Sequence, residues 1–160
     1  MRFQDFTLLF QPMNQWKLLL SRYKPMSHLS QIKLPANLEN LPQLIESVST
    51  CAKKQEFNPG KVTEIEIALE EALVNIINYA YQNSIGDIKV TSYLDDDNRF
   101  TIAIEDTGAH FDVLSMDQPN LTSKISERKI GGLGIFFIRK LMNEVLYQRK
   151  DNKNILTLIP

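Results

Sequence analysis

Residues 64–81 read Glu-Ile-Glu-Ile-Ala-Leu-Glu-Glu-Ala-Leu-Val-Asn-Ile-Ile-Asn-Tyr-Ala-Tyr, and this stretch decides the fold. Its apolar residues recur every three or four positions, which predicts one long helix with a buried stripe. Pro59 and Gly60 precede the helix, and Thr63 with Glu66 has the spacing of a capping box at its start. The stripe is expected to contain Val62, Ile65, Leu69, Ala72 and Ile76.

Two polar residues of this helix are not required for packing it against a core. Glu71 and Asn75 are four positions apart, so they share one face and lie one turn from each other. Their neighbours are apolar, and a carboxylate half buried there without a task costs free energy. The pair has the chemistry of a general base beside a magnesium ligand. A solvated edge of an amphipathic helix remains the alternative from the helix alone.

Composition limits the classes of function. The chain has 160 residues, 43% of them hydrophobic, which fits one ordinary domain. A net charge of −1 gives no basic footprint for nucleic acid or a membrane surface. Cys51 is the single cysteine, so no internal disulfide forms, and no apolar run approaches the ~20 residues of a membrane span. We expect a cytoplasmic protein with no direct contact to nucleic acid or a membrane.

The beginning of the chain differs from the rest. Residues 1–28 are rich in apolar side chains without a firm period and are interrupted by Pro12 and Pro25. Three interpretations stay open: a docking arm for a partner or second subunit, a loosely ordered tail, or an upstream extension with Met26 as the usual start. The sequence predicts an N-terminal extension over 1–28 and one domain over 29–160.

Periodicity and turn residues predict the order of elements in that domain. A polar loop over 113–130 is long enough to act as a lid. The expected elements are a strand at 30–34, a helix from Asn37 to about Gln55, the central helix, strands at 88–94 and 100–104, a helix from 131 to 142, and a hairpin of strands at 144–149 and 154–159.

Two further polar elements join the Glu71/Asn75 face as candidate sites. Asp106-Thr107-Gly108 leaves the second strand of the first hairpin, and Gly131-Gly132-Leu133-Gly134 opens the last helix. Free backbone N–H groups at a helix N-terminus bind anions, and glycines let a phosphate come close. The glycine run matches neither a Walker P-loop nor a Rossmann fingerprint.

The three elements together resemble the GHKL ATPases, the superfamily of gyrase B, the Hsp90 chaperones, MutL and the histidine kinase catalytic domain. Within it, the sequence is most similar to the anti-sigma factor serine/threonine kinases of the RsbW and SpoIIAB type. Residues 70–81 resemble the N box, residues 104–112 the G1 box and residues 130–135 the G2 box. The resemblance implies an α+β two-layer sandwich, the GHKL or Bergerat ATP-binding fold, with a mixed, mostly antiparallel sheet and helices on one face.

The resemblance also implies roles for individual residues. Glu71 would be the catalytic base, and Asn75 would ligate the Mg²⁺ that accompanies ATP. Asp106 would accept the adenine amino group, and Gly108 would let the ring approach the backbone. The residues that would line the phosphates beneath the lid are Gly132, Leu133 and Gly134.

The implied function is that of an ATP-dependent serine/threonine protein kinase acting as an anti-sigma factor. Such a protein phosphorylates a STAS-domain antagonist, sequesters a sigma factor and usually works as a homodimer. The alternatives are a nucleotide-gated binding module without phosphotransfer, a regulator of a target other than a sigma factor, and the detached catalytic domain of a histidine kinase. The presence of Glu71 argues against a pure binder, and no helix resembles a phosphoacceptor histidine helix.

Overall fold

A computed structural model describes residues 27–81, 84–110 and 132–160. The predicted lid over 113–130 and residues 1–26 of the predicted extension lie outside these ranges, so the boundary between 28 and 29 stays a prediction. The described elements, in chain order, are β1 (Ser27–Pro35), a 3₁₀ turn (Leu38–Asn40), α1 (Leu41–Lys54), α2 (Pro59–Tyr79), β2 (Asp87–Leu94), β3 (Phe100–Asp106), α3 (Gly132–Leu141), β4 (Glu144–Lys150) and β5 (Lys153–Ile159).

The described strands form one sheet in the order β1-β2-β3-β5-β4. All of their pairings are antiparallel, whereas the sequence resemblance implied a mixed, mostly antiparallel sheet. Strand β5 inserts between β3 and β4, so it is an interior strand and β4 lies at the edge of the sheet. The predicted α+β two-layer architecture is confirmed.

The central helix α2 begins earlier than its sequence signal suggested. Its N-cap is Asn58, whose side-chain oxygen accepts a hydrogen bond of 2.9 Å from the backbone N–H of Lys61. Pro59 follows at the first helical position, where its missing N–H costs nothing. The predicted capping box at Thr63 and Glu66 is wrong, because Thr63 already lies inside the helix and donates to the carbonyl of Pro59.

The core lies between the sheet and one layer of helices, with α2 in contact with both α1 and α3. The inward faces of α2 and of the strands are almost completely buried, as the period of 3.6 in the helix and 2 in the strands requires. Burial of this apolar surface is the main stabilising term of the fold. The predicted stripe on α2 is confirmed for its fully buried members, Val62, Ile65, Leu69 and Ala72.

The hairpin of β4 and β5 turns through two residues. Asp151 and Asn152 both have positive φ, 51° and 61°, as the central residues of a type I′ turn do. This tight turn sets the register, so that Arg149 pairs with Asn154 across the hairpin. The register between β3 and β5 places Asp106 opposite the same Asn154. Of the helices in the described ranges, none has the length and hydropathy to cross a membrane.

Candidate functional site

A pocket opens between α2 and the adjoining end of the sheet. Its lining comes from four elements whose positions the fold sets: α2 with its C-cap, the end of β3, and the hairpin of β4 and β5. The lining residues are Ala72, Asn75, Ile76, Ala80, Asp106, Tyr147, Asn154 and Leu156. The structure therefore brings two of the predicted site residues, Asn75 and Asp106, into one cleft.

Asp106 is the charged residue of this pocket, and it is only 5% exposed. Its Oδ1 accepts hydrogen bonds from the backbone N–H of Gly108 at 2.8 Å and from Nδ2 of Asn154 at 2.9 Å. Its Oδ2 accepts none from the part of the chain that the structure describes. Burial raises the pKa of Asp106, and the hydrogen bonds from Asn154 and Gly108 and the charge of Arg149 oppose that rise. The protein thus holds one oxygen of this carboxylate, while the described residues leave the other without a donor.

Gly108 packs the loop after β3 against the end of α2. A Cβ added at Gly108 would come within 2.5 Å of the Ala80 side chain and carbonyl oxygen. The neighbouring Ala109 donates its backbone N–H to that carbonyl at 2.9 Å. Glycine is therefore required here by the contact between the loop and the helix. The same contact fixes the loop whose Gly108 N–H donates to Asp106.

Asn154 is a pocket residue that the sequence reasoning missed. It is 5% exposed, its Nδ2 donates to Asp106 and to the carbonyl of Ala109, and its Oδ1 accepts from Tyr147 and Arg149. A signal was present in the sequence. Asn154 alternates with Leu156 and Leu158 on the inward face of β5, and an amide at a core position of a strand needs partners.

The other end of the pocket holds a buried polar group without a partner among the described residues. Asn75 is 8% exposed, and within that part of the chain its Nδ2 makes no hydrogen bond. Glu71, half buried and one turn earlier, places its carboxylate directly against Gly134, where a Cβ would collide with Oε2. Gly134 lies in the first turn of α3, where the helix dipole and free N–H groups favour negative charge.

The residues present fit a magnesium ion held jointly with phosphates. In the described ranges, no three His, Cys, Asp or Glu side chains come together as a protein-only metal site requires. Mg²⁺ prefers oxygen ligands and usually takes one or two of them from the protein, the rest from phosphate and water. The Asn75 carbonyl is an oxygen donor of this kind, and the Asn75 Nδ2, which has no partner among the described residues, is a donor that a phosphate oxygen could accept from.

Other predicted residues are placed only in part. Gly132 and Leu133 belong to the first turn of α3, and their side-chain environment lies outside what the structure describes, as does Gly131. His110 is exposed, and its ring centroid lies 5.8 Å from that of Tyr147 at the edge of the pocket.

The fold and pocket define the class of protein. The family model described as the histidine kinase-like ATPase domain matches residues 34–159, most of the chain. The chain therefore belongs to this family, and the recognition of a GHKL ATPase from its three boxes is confirmed. Family membership implies a site for ATP.

The chain is similar to particular kinases within that class. It is 24% identical over 130 residues to the serine-protein kinase RsbW of Bacillus thuringiensis strain Al Hakam, covering 79% of this chain and 81% of the relative. It is 27% identical over 135 residues to the serine-protein kinase RsbW of Bacillus cereus strain AH820, with the same coverage. The likeness to RsbW kinases expected from the sequence is therefore confirmed.

Two solved structures share the fold. A chain of the SiaB–SiaC complex from Pseudomonas aeruginosa superposes with a TM-score of 0.61 at 16% identity, covering 93% of this chain and 100% of that one. The RsbU and RsbW domains of a Mycobacterium tuberculosis protein give a TM-score of 0.56 at 14% identity over 82% of this chain. The match spans about a third, 32%, of that longer chain.

Proposed function

We propose that the protein is an ATP-dependent serine/threonine protein kinase that acts as an anti-sigma factor. The observation that carries the proposal is that Asn75 and Asp106 line the same pocket. A group suited to a metal and a group suited to a nucleobase are thereby joined across one cleft. The similarity to curated RsbW kinases supports the choice of a serine or threonine acceptor.

In the proposed mechanism, each end of the pocket does separate work. Asp106 accepts a hydrogen bond from the adenine amino group through Oδ2, while its Oδ1 stays bonded to the protein. Mg²⁺ bound with ATP would neutralise the charge that develops on the phosphates. Asn75 would ligate this metal through its carbonyl oxygen, and the first turn of α3, with Gly132, Leu133 and Gly134, would line the phosphates.

In this mechanism, Glu71 acts as the general base. It accepts the proton of the attacking serine or threonine hydroxyl as the new oxygen–phosphorus bond forms and the bond to the leaving ADP breaks. Phosphoryl transfer depends mainly on positioning and charge stabilisation, so one base, one metal ligand and backbone N–H groups are sufficient protein machinery. The contact of Glu71 with Gly134 supports this role, because Gly134 belongs to the turn that we propose lines the phosphates.

The partners in the proposal follow from the related proteins. The phosphate acceptor is a STAS-domain antagonist, the sequestered protein is a sigma factor, and the kinase works as a homodimer over residues 29–160. A regulated target other than a sigma factor is the alternative within the same mechanism.

A phosphotransfer assay tests the proposal. Purified protein, γ-labelled ATP and Mg²⁺ are mixed with a soluble extract of the source organism, in parallel with the Glu71→Ala variant. Glu70→Ala is the matched control, because Glu70 is the adjacent carboxylate and is exposed. We expect one small protein to carry acid-stable label with the wild type and with Glu70→Ala, and none with Glu71→Ala.

Other results would point elsewhere. Acid-labile label on the chain itself would replace the proposal with histidine kinase chemistry. Absence of label while nucleotide still binds would replace it with a nucleotide-gated binding module. Identification of the labelled protein and of the protein it releases distinguishes a sigma factor from another target.

A further inference from the structure

A row of polar side chains crosses three strands beside the pocket. Asp106 on β3, Asn154 on β5 and Arg149 on β4 occupy paired positions, so the register of the sheet sets them side by side. Nδ2 of Asn154 lies 2.9 Å from Oδ1 of Asp106, and Oδ1 of Asn154 lies 2.7 Å from Nη1 of Arg149. The row ends at the face of the pocket where we place the nucleobase.

The orientation of the Asn154 amide is determined by its neighbours. Arg149 has only donors, so the Asn154 atom that faces it must be the oxygen. The Tyr147 hydroxyl donates to the same oxygen at 2.8 Å. On the other side, the Asp106 carboxylate and the Ala109 carbonyl are both acceptors, so they require the NH₂ group. If the Asn154 amide were rotated, its NH₂ group would face the donors and its oxygen would face the acceptors.

This locked amide decides which Asp106 oxygen faces the ligand. Because Asn154 and the Gly108 N–H both bind Oδ1, the carboxylate plane is held and Oδ2 remains the acceptor. An acceptor in that place matches the 6-amino group of adenine and opposes the 6-oxo group of guanine. Buried polar groups built to pair with one ligand reject the analogue that leaves them unpaired.

We propose that Asn154 is a positioning residue for purine specificity: it aims the Asp106 carboxylate at a 6-amino purine, and Arg149 and Tyr147 hold its amide in the orientation this requires. The inference deepens the proposed function and rests on it. It makes the β4–β5 hairpin part of base selection, although the hairpin carries none of the three sequence boxes.

Calorimetry with ADP and GDP in the presence of Mg²⁺ tests the inference without turnover. The variant is Asn154→Asp, which keeps the shape of the side chain but replaces the NH₂ donor with an acceptor facing Asp106. The matched control is Asn143→Asp, the same change at an exposed asparagine that donates to the carbonyl of Pro160. Both proteins are compared with the wild type by the ratio of the GDP and ADP dissociation constants.

We expect the ratio to fall by at least ~10-fold in Asn154→Asp, mainly through weaker ADP binding, which is the size expected for one hydrogen bond to a charged group. The ratio should stay unchanged in Asn143→Asp. If Asn154 had only a general structural role, the variant would bind ADP and GDP more weakly by the same factor. An unchanged ratio in Asn154→Asp therefore overturns the inference. The proposed function still stands in that case if the wild type prefers ADP. A wild type that binds neither nucleotide overturns both.

A second variant keeps the test decisive if Asn154→Asp does not fold. The double variant Tyr147→Phe with Arg149→Met leaves Asn154 in place and removes two of the four groups that orient its amide. We expect the ratio of dissociation constants to fall by ~3-fold, because an amide held only by its acceptors aims the Asp106 carboxylate less firmly. An unchanged ratio in a folded double variant overturns the inference.

Discussion

The two ends of the pocket differ in how completely the protein satisfies its own polar groups. At the Asp106 end, Asn154 has both amide atoms hydrogen-bonded and Asp106 has one oxygen fully engaged. At the Asn75 end, a buried amide nitrogen has no partner in the described part of the chain, and the Glu71 carboxylate lies against the first turn of α3. The first end is preorganised by the sheet, whereas the second keeps a buried donor unsatisfied.

The difference follows from the elements that build each end. Strand register places side chains opposite one another with little freedom, so β3, β5 and β4 present a fixed row. The other end is formed where α2 meets the N-terminus of α3, and helix N–H groups offer general affinity for anions without selecting among them. In the proposed mechanism, selection of the base and capture of the phosphates therefore belong to different secondary structures.

The largest expected effect comes from removing the base at the helix end. Glu71→Gln should lower the phosphotransfer rate by ~10²- to 10⁴-fold, the usual contribution of a general base. Affinity for ADP should rise slightly, because a negative charge beside the predicted phosphate site is lost. The measurement is single-turnover phosphotransfer with calorimetry for ADP. Glu70→Gln, an exposed neighbour, is the control, and an equal loss of rate in both variants would contradict the role.

The next effect concerns the strand end. Asp106→Asn keeps an oxygen for Gly108 and Asn154 but turns an NH₂ group toward the ligand. ADP affinity should fall by ~10- to 100-fold, the value of a hydrogen bond to a charged group, and the preference should shift toward a 6-oxo purine. Calorimetry with ADP and IDP measures both. Asp96→Asn in the exposed turn between β2 and β3 is the control; retained ADP preference in Asp106→Asn would contradict adenine recognition by this carboxylate.

A smaller effect tests the unpartnered amide. Asn75→Leu removes a buried donor that makes no hydrogen bond within the described ranges, so the free energy of unfolding without ligand should rise by ~1 kcal/mol, or ~2–4 °C in the melting temperature. The stabilisation that Mg²⁺ adds to nucleotide binding should disappear. Thermal unfolding with and without ADP and Mg²⁺ measures both changes. Asn78→Leu on the exposed face of α2 should change neither by more than ~0.5 kcal/mol, and Mg²⁺-dependent stabilisation that persists in Asn75→Leu would exclude Asn75 as a ligand.

The same contrast explains what the sequence could predict. The helix α2, the two hairpins and the order of elements follow from local periodicity and turn residues, which need no tertiary information. Glu71, Asn75 and Asp106 stood out because polar residues interrupted an apolar period or followed a strand. The local signal of Asn154 is only an amide at an inward position of a strand, and its partners depend on β5 inserting between β3 and β4, a long-range pairing that local patterns do not reveal. The start of α2 was misplaced since Asn58, three residues before Lys61, caps the helix in place of Thr63.

A further expected effect is a pH dependence at the strand end with opposite signs for stability and binding. Burial raises the pKa of Asp106 in the folded chain above its ordinary value of 3.8, so the folded state binds the proton more tightly than the unfolded state. This carboxyl's contribution to stability is therefore greatest below the ordinary value and declines as pH rises through the folded pKa, by ~1.4 kcal/mol for each pH unit between the two. Acceptance of the adenine amino group needs the ionised form, so ADP affinity should rise over the same interval. Unfolding and ADP titrations from pH 4 upward, each expressed relative to Asp106→Asn to cancel other groups, measure both slopes. If the unfolding free energy and the ADP affinity changed with pH in the same direction, titration of Asp106 would not be the cause of both changes.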